Sequence, residues 1–120
     1  MKKQIQQIRE FEEAYGIDPV NQDYQLKHKI LMEELDEYLF ANNNENEVEI
    51  ADAIGDILYI AFGLVTKHGL EDKMEAIFDE IHASNMSKLD ENGKPIRRDD
   101  GKILKGPHYF PPNIKKILEG

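Results

Sequence analysis

The stretch that decides the fold is EVEIADAIGDILYIAFGLVTK, residues 47–67. Wound as an α-helix, it carries Ile50, Ala51, Ile54, Ile57, Leu58, Ile60, Ala61, Phe62 and Leu64 around almost its whole circumference. That is the mark of a helix buried on most sides. Gly69 supplies a C-terminal stop just beyond Lys67. At about 100° per residue, with Glu49 set at 0°, Asp52 falls at about 300° and Asp56 at about 340°. Three carboxylates thus share one narrow sector of an otherwise apolar helix. A single chain of 120 residues can hardly surround such a helix, so a homo-oligomer, dimer or tetramer, is expected to cover part of it.

The segments on either side are helical as well. Ile5, Ile8, Phe11 and Tyr15 recur at spacings of three and four, which predicts a first helix from about residue 2 to Gly16. Pro19 blocks its continuation. A second helix is expected over roughly 23–41, with Leu31, Leu35, Tyr38 and Leu39 on one side. NNNENE (42–47) reads as a turn. A fourth helix is expected from near Glu71 to Lys88, with Met74, Ile77, Phe78 and Ile81 on one face. Loops this short favour antiparallel neighbours. The expected architecture is therefore all-α, an antiparallel bundle of about four helices over residues 1–88. A basic, irregular C-terminal extension, 89–120, is expected to pack on the same domain, with a small hairpin at Asp100-Gly101.

Composition narrows the function classes. No run approaches the roughly 18–20 apolar residues of a membrane span, and the N-terminal MKKQIQQIREFEEAYG lacks the apolar core of a secretion signal. With no cysteine, thiolate metal sites and thiol nucleophiles are excluded, and a cytoplasmic location is expected. A net charge of −9 argues against nucleic-acid binding through phosphates. The charge is uneven. Residues 88–120 hold eight basic and five acidic side chains, whereas Glu33 to Asp56 holds nine carboxylates and no Lys or Arg.

On the second helix, with Glu33 at 0°, Glu37 falls at about 40° and Glu34 at about 100°, next to the apolar stripe. Glu34 is therefore placed to face a neighbouring helix. Opposed to Glu49, Asp52 and Asp56, these residues would put five or six carboxylates at close range. Such a set repels itself unless a hard divalent cation intervenes, and Mg²⁺ takes oxygen ligands of this kind.

These helices resemble the all-α nucleoside-triphosphate pyrophosphatases: MazG, the dimeric dUTPases and phosphoribosyl-ATP pyrophosphohydrolase. The family motif EExxE is matched by Glu33-Glu34-Leu35-Asp36-Glu37, and ExxD by Glu49-Ile50-Ala51-Asp52. In a second register Gly55-Asp56 aligns with the GD of many MazG relatives, so Glu49, Asp52 and Asp56 are all carried, the two aspartates ranked first. The tail NMSKLDENGKPIRRDDGKILKGPHYFPP looks like that of a phosphoribosyl-ATP pyrophosphohydrolase-like subgroup.

The resemblance implies Mg²⁺-dependent cleavage (Mn²⁺ substituting) of a nucleoside triphosphate between its α- and β-phosphorus atoms, giving a monophosphate and pyrophosphate. It implies that Glu34, Glu37, Glu49, Asp52 and Asp56 supply metal ligands and that Glu33 orients or deprotonates the water. Asn85 and Lys88 look like phosphate contacts. Lys94, Arg97, Arg98, Lys102 and Lys105 offer the positive charge that an acidic protein needs near a triphosphate. Tyr109 and Phe110 are expected to anchor the tail. Two other readings stand beside this one. Asp79-x-x-His82 echoes a di-iron carboxylate bundle, although no second copy of that motif is present. A non-catalytic assembly module is the other.

Overall fold

The computed structural model describes all residues from Met1 to Gly120. The architecture is all-α, with one two-stranded hairpin near the C-terminus. The chain forms two compact units, Met1–Glu71 and Asp72–Gly120. The fourth helix belongs with the tail.

The first unit holds α1 (Lys2–Ala14), a 3-10 turn (Pro19–Asn21), α2 (Tyr24–Asn43) and α3 (Glu47–Lys67). Each boundary has a local cause. Asp23 caps α2 by accepting from the amides of Gln25 and Leu26 at 2.9 and 3.3 Å. Asn46 caps α3 by accepting from Glu49 N at 3.1 Å. Gly16 and Gly69 end α1 and α3 at φ near +65°, a region that costs glycine nothing. Arg9 pairs with Glu71 at 2.9 Å, and Lys67 Nζ donates to Val20 O at 2.8 Å.

α2 and α3 form the main packed pair of this unit, and α1 lies on α3. The α2–α3 register is antiparallel. Lys27 approaches Gly63, Ile30 shares a cavity with Ile60, Glu34 senses the charge of Asp56, and Glu37 shares a cleft with Asp52. Each step of three or four residues up α2 is matched by a step of three or four down α3. The face that α2 turns to α3 is thus Lys27, Ile30, Glu34, Glu37 and the buried Ala41, spaced by threes and fours.

The core of this unit is small: Ile5, Ile8, Ala41, Ala53 and Val65 are its buried apolar residues. The stripe expected to be buried on α2 is largely open. Leu35, Tyr38 and Leu39 are exposed, as are Val48, Ile54 and Leu58 on α3. The reason is geometric, since α2 spends its packed face on the polar row just described.

The second unit holds α4 (Met74–Met86), β1 (Ile96–Arg97), β2 (Ile103–Leu104) and α5 (Ile114–Glu119). α4 begins three residues later than the periodicity predicts, because Glu71–Lys73 form a turn. Ile96 pairs with Leu104 and Arg97 with Ile103. Arg98 N donates to Lys102 O at 2.8 Å, and Gly101 at φ +89° closes the turn, so the hairpin expected at Asp100-Gly101 is present. α4 packs with α5. Ser84 Oγ donates to Phe110 O at 2.8 Å, and Phe110 N donates to Ser87 Oγ at 3.1 Å, which holds the tail by its backbone.

Candidate active site

The acidic row is built by the α2–α3 register. Glu34 and Asp56 are half-buried, while Glu33, Glu37, Glu49 and Asp52 are exposed. Glu34 carries the strain of the arrangement. Its Oε2 is buried with no hydrogen-bond partner. Its pKa is pushed up from 4.5 to about 7, first by loss of solvent, then by the Glu37 carboxyl and the charges of Asp56 and Asp52. Three carboxylates, one on the same helix and two on the facing one, therefore act on Glu34 along the groove.

Toward the loop end, a cleft of about 500 Å³ is lined by Asp36, Glu37, Phe40, Glu49 and Asp52. Glu49 and Asp52 from the literal ExxD thus share a cleft, while Asp56 reaches Glu34 one turn deeper. Asp36 was not expected to take part; its place inside EELDE was the available signal. In these side-chain positions, no group of three or more His, Asp or Glu side chains converges closely enough to hold a metal ion. That applies equally to Asp79 and His82, both exposed on α4.

The residues expected to contact phosphate, Asn85 and Lys88 together with Lys94, Arg97, Arg98, Lys102 and Lys105, all lie in the second unit. Asn85 is exposed near the end of α4 and Lys88 is half-buried beyond it. Arg98 forms a two-point pair with Asp100 across the hairpin turn. That pairing raises the arginine pKa and lowers the aspartate's. Lys105 Nζ stands 4.8 Å from the centroid of the Tyr109 ring. Arg97 and Lys102 are exposed, and neither joins an ion pair.

Sequence reasoning missed a second polar centre. Glu12 on α1 is only 4 % exposed. Its Oε2 accepts from Thr66 Oγ1 at 2.7 Å and from Gln22 Nε2 at 3.2 Å. Burial holds the Lys27 ammonium below the usual lysine range, offset in part by the charge of Glu12. A helical wheel held the signal: with Ile5 at 0° and Ile8 at about 300°, Glu12 falls at about 340°, inside the apolar arc.

A helical unit with opposed acidic rows on two antiparallel helices agrees with the all-α pyrophosphohydrolase class that the sequence resembles. The family model for phosphoribosyl-ATP pyrophosphohydrolase matches residues 1–85, and the chain belongs to that family. No curated protein matches it. The family fixes the general chemistry: a hydrolase acting on the pyrophosphate linkage of a nucleotide-like substrate. No helix is long and apolar enough to cross a membrane.

Proposed function

We propose that the chain is a Mg²⁺-dependent nucleoside-triphosphate pyrophosphohydrolase, Mn²⁺ substituting, that releases a nucleoside monophosphate and pyrophosphate. The observation that carries this reading is the unpartnered, buried Oε2 of Glu34 amid Glu37, Asp52 and Asp56. This all-oxygen donor set fits a hard cation. Glu34, Glu37, Asp52 and Asp56, which do not converge in the side-chain positions described above, would hold it after side-chain rotation, with Glu49 at the outer end of the row. When bound, the ion supplies positive charge to the phosphate oxygens of the substrate. Glu33, exposed beside the row, takes a proton from the attacking water. The water oxygen bonds to the α-phosphorus as the bridging oxygen leaves with pyrophosphate. Asn85, Lys88, Arg97, Arg98, Lys102 and Lys105 are assigned to phosphate contacts by their charge and polarity; Arg98 would first have to leave its pair with Asp100.

A homodimer or homotetramer is part of the proposal. Val48 is 80 % exposed and Leu58 54 %, and Leu35, Tyr38 and Leu39 are exposed as well; exposed apolar surface favours association. The net charge of −9 supports a small-molecule substrate rather than nucleic acid. The absence of cysteine suits the cytoplasm.

The test is pyrophosphate release from ribo- and deoxyribonucleoside triphosphates and phosphoribosyl-ATP, with Mg²⁺ and with chelator. Release should require the metal. Glu34→Gln should abolish it while leaving the helical circular dichroism unchanged. Normal turnover in that variant would overturn the metal assignment.

A further inference from the structure

Two turns along the same groove from Glu34, α1, α2 and α3 enclose a second cavity of about 240 Å³. It is smaller than the ~300–1,000 Å³ of sites for drug-sized ligands, so it suits one flat ring system rather than a whole nucleotide. Phe11 and Tyr59 line it, their rings edge to face with centroids 5.8 Å apart. Two charged groups share the cavity wall, Glu12 and Lys27.

Glu12 is the built feature. Oε2 is satisfied by Thr66 and Gln22, whereas Oε1 is buried without any partner. A buried carboxylate oxygen left unmade is costly, and a bound N–H donor would relieve it. Lys27 takes part in none of the ion pairs of the chain. Its Nζ lies 3.1 Å from where a Cβ on Gly63 would stand, so a glycine gives it room. It offers N–H donors to an acceptor. Gln22, whose amide could otherwise adapt to either kind of edge, is committed: Nε2 already donates to Glu12 Oε2 and to Pro19 O.

We propose that this cavity receives the base of the nucleotide, and that Glu12 and Lys27 select an oxo-base, one with a ring N–H beside a carbonyl. The inference rests on the function proposed above. The position agrees with it: on α2, Lys27 and Ile30 precede Glu34 by seven and four residues, about 6 to 10 Å of helix rise, the reach from phosphate to base. The chemistry then selects the edge. The ring N–H of a 6-oxopurine or 4-oxopyrimidine is more acidic than the amino N–H of adenine or cytosine, and so makes the stronger charge-assisted bond to a carboxylate. The neighbouring carbonyl oxygen accepts from the lysine, the pairing also seen when lysine reads guanine O6.

Inosine and adenosine differ only at this edge, which makes them the probe. Each is titrated calorimetrically into the full chain in chelator, without metal or phosphate, so that the acidic row is not engaged. Inosine should bind at least about tenfold tighter than adenosine and than 1-methylinosine, which lacks the ring N–H. Glu12→Gln and Lys27→Met should each erase that margin. The methylated ligand needs no substitution, so the test survives a Glu12 variant that fails to fold. Equal binding of the three nucleosides, or no binding at millimolar concentration, would overturn the assignment. Pyrophosphate release from inosine and adenosine triphosphates separates the two readings. Metal-dependent release without base preference sinks the subsite and leaves the activity. An inosine margin with no release from any triphosphate keeps the subsite and sinks the activity.

Discussion

Thr66 donates its hydroxyl to Glu12 Oε2 at 2.7 Å across 54 residues of sequence, fastening the end of α3 to α1 through a buried carboxylate. Thr66→Val keeps the shape and removes the donor. The carboxylate then loses its shortest hydrogen bond without gaining water. Losing one partner of a buried pair costs about 1–3 kcal/mol, and urea denaturation of the variant should show a loss in that range. A change under a few tenths would mean that Gln22 carries Glu12 alone.

Two helical glycines on α3 face different surroundings. A Cβ on Gly55 meets nothing within 4 Å, whereas one on Gly63 meets Lys27 Nζ at 3.1 Å. Alanine in a helix interior is favoured over glycine by about 0.5–1 kcal/mol. Gly55→Ala should therefore gain about that much in chemical denaturation. Gly63→Ala should gain less, because the ammonium must move. Equal gains at both positions would show that Lys27 is not held against α3.

How far the sequence reveals this differs by feature. Local signals set α1, α2 and α3: spacing by threes and fours, Asp23 and Asn46 as caps, Gly16 and Gly69 as stops. The opposed acidic rows also follow from spacing, since Glu34 and Asp56 each occupy a fixed angle on a helix whose direction the short loop dictates. α4 was less legible. Glu71 looks like the acidic start of a helix, yet its carboxylate is engaged by Arg9, 62 residues away. For Glu12 the sequence holds only its place inside the apolar arc of α1; its partners Gln22 and Thr66 arrive from other segments. The apolar residues of α2 marked a buried face, but within one chain that face stays open.

The tail depends on a close approach at Gly106. A Cβ there would collide with the carbonyl oxygen of Leu89 and stand 2.6 Å from that of Lys88. These are backbone atoms, so no side-chain rotation relieves the clash. Gly106→Ala should loosen the segment from Leu89 to Phe110 and expose it to limited proteolysis. The helical signal of α1 to α3 should survive. A cleavage pattern identical to that of the parent would show that this crossing is not required.

The raised pKa of Glu34 makes a signed prediction for stability. Between its ordinary value of 4.5 and about 7, the folded protein holds a proton that the unfolded chain has released. Stability in chelator should therefore fall as pH rises through that window and level off above it. Glu34→Gln cannot ionise, so its stability curve should lack this decline, and the variant should gain on the parent most at pH 8. Divalent cation should act in the opposite sense, raising the melting temperature of the parent at pH 8 and doing little for Glu34→Gln. Thermal unfolding at pH 5 and pH 8, with chelator and with Mg²⁺, checks all of these signs. A parent protein whose stability rises across the window would place Glu34 in a neutralised environment and remove the electrostatic demand for a cation.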